Sequence, residues 1–290
     1  MGTYRIVTDS TTDLTPELIQ ELDVQVIPLC YMMGGKTYHN IPGGGEMTDK
    51  EFYAKLRAGS MSTTTQVNSE EFLHVFTPLL EAGQDVLYIA FSSGLSGTYQ
   101  SAVLAREELK QRFPDRRLEV FDSLCASMGE GLLVYHAAKL RNVGKSLDEV
   151  LAWLKGNVLN LCHWFTVDDL NHLKRGGRVS TATALVGTML GIKPVLHVDD
   201  EGHLIPVSKV RGRKQSLDAL VRRMEDTVLD PANQMVFISH GDCLEDAQYV
   251  ERQIREKLGV QQVKLGFIGP VIGAHSGPGT VALFFLGKER

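Results

Sequence analysis

"DVLYIAFSSGLSGTYQSAVLAREELKQRF", Asp85 to Phe113, is the stretch on which the fold turns. The run "DVLYIAFSS" is apolar and reads as the strongest strand in the chain. Serines and glycines then break it, and an alanine-rich helix begins. "RLEVFDS" (Arg117–Ser123) follows as a second strand. Strand, polar turn, helix and strand in this order make a βαβ crossover, which implies parallel strands.

The same rhythm extends toward the N-terminus. "YRIVTDS" is a strand, and "TPELIQEL" a helix with Thr15 as its cap and Pro16 in its first turn. "VQVIPLCYMM" (Val24–Met33) reads as one further strand, and "TDKEFYAKLRAG" as a helix between Thr48 and Gly59. A helix runs from about Ala126 to Asn142, and "SLDEVLAWLKGNVLNL" opens with a capping box, Ser146 to Glu149. Beyond it the pattern changes. "KPVLHVDDEGHLIPVSKV" is an antiparallel hairpin around an acidic glycine turn, and "TALVGTML" reads as an apolar helix. Two amphipathic helices, "SLDALVRRMEDTVL" and "DAQYVERQIREKLG", and three strands, "QMVFISHGD", "QVKLGFIG" and "TVALFFLG", complete the chain. The expected fold is α/β with two domains. Residues 1–160 form a mostly parallel sheet with helices on both faces, and residues 161–290 form an α+β unit with a mixed sheet.

Composition narrows the function. The 290 residues are 43% hydrophobic and 22% charged, with a formal net charge of −5. Such a chain has a sizeable core and no overall basic field, so nucleic acid is not an expected partner. The four cysteines lack C-x-x-C or metal-ligand spacing, which suits reduced thiols in the cytoplasm. No metal site is expected. There is no signal-peptide pattern and no apolar run of membrane-spanning length.

Four polar segments fall where a ligand meets an α/β protein, near strand ends and helix N-termini. They are "TDSTTD" (Thr8–Asp13), "STTTQ" (Ser62–Gln66), "SSGLSGT" (Ser92–Thr98) and "GPVIGAHSGPGT" (Gly269–Thr280). The third misses the G-x-S-x-G nucleophile elbow by one residue and lacks the P-loop lysine. It reads either as a helix cap or as an anion site built from hydroxyls and amides. Asp9 lacks the D-x-D spacing of aspartyl phosphatases, which leaves it a turn or capping residue. Arg178 follows Gly176-Gly177 and is free to project toward an anion. Among nine histidines, His275 alone lies in a glycine-rich loop. A stand-alone phosphotransferase or hydrolase using these loops is the alternative to a binding protein.

"IVTDSTTDLTPEL", "TTTQ", "SSGLSGTYQSA", "FDS", "VDDLNHLKRGGRVS", "KPVL", "KVRGRK" and "GPVIGAHSGPG" resemble, in order, the segments of the DegV family. The likeness covers almost the whole chain. It implies a two-domain protein that holds one long-chain fatty acid in a buried pocket between the domains, with no cofactor. It further implies a non-catalytic lipid-binding subunit whose partner, an ATP-dependent fatty-acid kinase, makes an acyl phosphate for phospholipid synthesis. Contact with a membrane surface would be only transient. By the same resemblance, Thr64 and Ser93 hydrogen-bond the carboxylate, while Arg178 and His275 stand where phosphoryl transfer takes place. Thr65 departs from the serine usual at its position. The glycine run Gly43–Met47 has no role in the pattern and reads as a surface loop.

Overall fold

The computed structural model describes residues 4–179 and 191–290, so "TALVGTML" lies outside the described residues. The chain begins with β1 (Tyr4–Asp9), a 3-10 turn at Ser10–Thr12, α1 (Pro16–Leu22) and β2 (Gln25–Ile27). Thr15 caps α1, its hydroxyl accepting from the Leu18 amide at 3.4 Å. The strand expected over Val24–Met33 is divided in two. Pro28 has no N–H to give a ladder, and the chain leaves the first sheet there. Beyond it, β3 (Cys30–Met33) pairs antiparallel with β4 (Lys36–His39). After α2 (Asp49–Arg57), β5 (Ser62–Thr65) lies on the other edge of β3. "STTTQ" is therefore mostly strand, with Thr64 opposite Tyr31.

The βαβ reading of Asp85–Ser123 holds. α3 (Ser69–Glu81) leads into β6 (Asp85–Ala90), α4 (Thr98–Arg112) and β7 (Leu118–Asp122). The first sheet has the order β2-β1-β6-β7, with every pair parallel. Alternate side chains separate its faces. Val7, Val86 and Tyr88 pack with Phe72 and Phe76 of α3 and Ala102 of α4. Ile6, Leu87 and Ile89 pack with Leu18 of α1 and with α5 (Met128–Asn142) and α6 (Leu147–Asn157).

The second large sheet is mixed. Its elements are β8 (Leu161–Thr166), α7 (Asn171–Gly176), β9 (Ile192–Val198), β10 (Leu204–Arg211), α8 (Arg213–Thr227) and β11 (Met235–His240). They are followed by α9 (Leu244–Leu258), β12 (Gln262–Phe267), α10 (Pro270–Ser276) and β13 (Val281–Leu286). The strand order is β10-β9-β8-β13-β11-β12, with only β11 and β12 parallel. β9 and β10 form the expected hairpin, closed by the Asp199 amide donating to the His203 carbonyl at 2.9 Å. α10 is a helical turn inside "GPVIGAHSGPGT", a stretch whose glycines suggest a loop throughout.

One face of this sheet buries Trp164, Ile238 and Leu283 against α8 and α9. The other presents Phe165, Leu196, Phe237, Ala282 and Phe284 to α5. Helix α5 is thus packed between the two large sheets, and a single apolar cluster runs across residue 160. Among the described residues no helix is long and apolar enough to cross a membrane, and the four cysteines are free thiols.

Candidate ligand cavity

A cavity of about 420 Å³ opens where α5 begins, between the elements of the two large sheets. That volume is in the range of roughly 300–1,000 Å³ typical of small-molecule pockets. Its floor follows from strand register. His163 pairs with Phe284 and Phe165 with Ala282 across β8 and β13, so all four side chains share one face. Val198 and Leu204 extend the wall from the β9–β10 hairpin, and Leu95, Ile268 and Val271 close it from other sides. The walls are predominantly apolar.

One end is polar. Thr64 reaches it from β5, Gln66 from just after that strand, Ser96 from the β6–α4 loop, Arg178 from beyond α7, and His275 and Ser276 from α10. The Thr64 hydroxyl lies 2.8 Å from His275 Nε2. His275 Nδ1 has no hydrogen-bond partner among the described residues and packs against Gly176. A side chain at Gly176 would collide with that imidazole, which gives the first glycine of "LKRGGRVS" a physical reason. Gly177 supplies the left-handed C-cap of α7, with φ +67°, and so releases Arg178 from the helix. Arg178 donates from Nε to the Leu95 carbonyl at 3.3 Å and from Nη1 to the Gly176 carbonyl. Burial, reinforced by the Arg178 charge, pushes the His275 pKa down to about 4. The imidazole is therefore neutral near pH 7, and Arg178 brings the positive charge.

Three of the four residues expected at a site come together here: Thr64, Arg178 and His275. Ser93 does not join them. It is exposed and off the cavity wall, its amide donating to Asp122 Oδ1 at 3.1 Å. The reason is a turn. The Leu95 and Ser96 amides both donate back to the Ser92 carbonyl, so the loop coils and returns Ser96 to the cavity. Ser92, fully buried, donates instead to the Gly202 carbonyl at 2.9 Å and fixes the loop against the hairpin. Ser96 also receives the Thr98 amide, the first of α4, at 3.2 Å, so one hydroxyl serves the start of the helix and the cavity wall. Nothing in the sequence around Gln66 and Ser276 marks them individually as cavity residues. The crowding of Gln66 against Gly97, and the unpartnered, buried Ser276 hydroxyl among the described residues, emerge only from tertiary contacts.

A smaller cavity of about 180 Å³ adjoins the polar end. The two share Thr64, Arg178 and His275, and the smaller adds Ser60, Ser62, His172 and Arg175. Among the described residues no group of three or more His, Cys, Asp or Glu side chains is arranged to hold a metal ion.

Comparison with known proteins places this architecture. A family model described as "Uncharacterised protein, DegV family" matches residues 3–288. A DegV domain-containing protein of Clostridium perfringens is 46% identical over 291 residues, covering 100% of this chain and 99% of the relative. The structure of a DegV lipid binding protein from Thermotoga maritima is similar at TM-score 0.87 and 31% identity, over 99% of both chains. A DegV family protein from Thermus thermophilus, whose structure is described by its fatty acid binding, is similar at TM-score 0.85 and 34% identity. It covers 98% of this chain and 99% of its own.

Proposed function

The chain belongs to the DegV family, and from that premise we propose that it binds one long-chain fatty acid in the larger cavity. The acyl chain lies over the β8–β13 floor, and the carboxylate meets Thr64, Ser96, Arg178 and His275. The observation that carries this reading is the cavity itself, about 420 Å³ and apolar along its walls with one polar end. Relatives described as lipid-binding and fatty-acid-binding support it. Each buried CH₂ contributes roughly 0.8 kcal/mol, so the chain supplies affinity while the polar end fixes direction. A carboxylate taken out of water is costly unless donors receive it, and two hydroxyls and a guanidinium are such donors. In this reading Ser96 takes the role expected of Ser93.

The protein is, in this proposal, a presenting subunit rather than a catalyst on its own. A partner ATP-dependent kinase would phosphorylate the held carboxylate, and the acyl phosphate would feed phospholipid synthesis. The smaller cavity supports this reading. A phosphoryl group approaching the far side of the carboxylate would meet Arg175, Arg178 and several hydroxyls. Arg178 and His275, shared by both cavities, are the residues assigned to that step. The division into residues 1–160 and 161–290 with the ligand between them, residence in the cytoplasm and only passing contact with membranes belong to the same proposal. Denaturing the purified protein, extracting it and applying mass spectrometry should yield one fatty acid per chain. No extracted fatty acid, together with no uptake of added palmitate or oleate, would remove the reading.

A further inference from the structure

Asp9 and Glu130 are both fully buried, and they meet behind the cavity wall. Asp9 Oδ1 accepts from the Thr11 amide at 3.0 Å and from the Thr11 hydroxyl. Its Oδ2 accepts from the Tyr88 hydroxyl at 2.7 Å and the Phe91 amide at 3.2 Å, and Phe91 lines the cavity. Glu130, in the first turn of α5, brings Oε2 to 2.8 Å from the same Thr11 hydroxyl. Its Oε1 lies 3.2 Å from the Thr8 hydroxyl, which also faces the Ile89 carbonyl at 2.9 Å.

A threonine hydroxyl owns one hydrogen. Thr11 cannot give its hydrogen to both carboxyls, and Thr8 has the Ile89 carbonyl as its nearer acceptor. Two ionised carboxylates would leave oxygen facing oxygen with no hydrogen between them. A proton on Glu130 Oε2 resolves this. It donates to the Thr11 oxygen, Thr11 passes its own hydrogen to Asp9, and Thr8 shares its hydrogen between Ile89 and Oε1. Asp9, with four donors on its two oxygens, remains the acceptor.

We infer that Asp9 and Glu130 hold one proton between them, carried by Glu130, as a pH-sensitive pin joining β1, β6 and α5 beneath the cavity wall. Among the described residues, the titratable groups around it are Asp13 from the turn after β1, Tyr88 from β6 and Cys125 ahead of α5, and Arg290 from the C-terminus reaches Cys125 Sγ at 3.4 Å. Among the described residues no basic side chain hydrogen-bonds or ion-pairs with either carboxyl. Burial first, and the Asp9 charge second, raise the Glu130 pKa well above the ordinary carboxyl range.

Glu130→Gln in the full chain tests the inference, because an amide reproduces a protonated acid's donor and acceptor but cannot ionise. The variant should fold at neutral pH. The folded wild type keeps a proton that the unfolded chain gives up. As the pH rises above the ordinary carboxyl range, its folding constant in denaturant titrations should therefore fall relative to the variant, by up to about ten-fold per pH unit. An infrared difference spectrum at neutral pH, wild type minus variant, should contain the C=O band of a protonated carboxylic acid. Parallel pH profiles, a missing band, or a variant that does not fold at neutral pH would each overturn the inference.

Discussion

The two polar clusters of this molecule differ in how their hydrogen bonds are spent. At the Asp9–Glu130 pair every carboxyl oxygen has a partner, and all the partners are internal. At the cavity's polar end Thr64, Ser96, Arg178 and His275 are only partly buried, and they face open volume. The first arrangement stabilises one conformation. The second leaves polar groups facing a cavity, as the proposed carboxylate site requires. The two clusters use the same residue types, and what distinguishes them is that only the second lines open volume.

The largest effect expected from breaking this contrast is at Asp9. Asp9→Asn turns an amide nitrogen toward groups that already donate, leaving buried donors unsatisfied at about 1–3 kcal/mol each. Denaturant titration should register a loss of roughly 2–6 kcal/mol for the two donors facing one oxygen. A loss within 1 kcal/mol would erase the distinction.

The polar end should respond in affinity instead. Arg178→Ala removes a charged donor, so the Kd for palmitate should rise by roughly 10- to 100-fold, with Ser96→Ala giving about five-fold. Neither should cost more than about 1 kcal/mol of stability. Ser93→Ala should change neither quantity, and calorimetric titration of the four proteins side by side decides between the two loop serines. If Ser93→Ala weakens binding more than Ser96→Ala, the assignment of the loop is reversed.

The smallest effect concerns His275. Its pKa is about 4 in the folded protein against an ordinary 6.5, so the unfolded chain binds the proton that the folded chain refuses. Its contribution therefore favours folding above pH 6.5 and is lost as the pH falls toward 4. His275→Gln should flatten that acid-side slope by at most one proton's worth in denaturant titrations. An unchanged slope would mean that the imidazole titrates as if exposed.

What the sequence made legible was local. Apolar runs of strand length, the Thr15 and Thr48 caps and the Ser146–Glu149 box depend on neighbours within a few residues, and the structure contains them. Pro28 was the local signal that divides Val24–Met33, and its missing donor was there to be read. Ser62–Thr65 was harder, because a run of hydroxyls becomes a strand only when β3 lies beside it. The placement of Ser96 over Ser93 depends on a turn tied to Ser92 and, through it, to Gly202 far along the chain. Glu130 was the least legible. Nothing near it in sequence shows that its partners are Thr8 and Thr11, 122 and 119 residues away.

Helix α5, flanked by the two large sheets, has a consequence for how the molecule is built and how it changes over evolutionary time. Leu132, Leu133 and Val134 follow one another and are all wholly buried, so no side of this part of the helix is left to water. Neither sheet can shed the helix without stripping the other of its hydrophobic cover. The chain should therefore melt in a single transition rather than half by half. Under the proposed function, a ligand would enter past side chains and loops at the rim and not through a wide hinge. A substitution in this helix is constrained from both sides at once, whereas residues around the rim can vary one at a time.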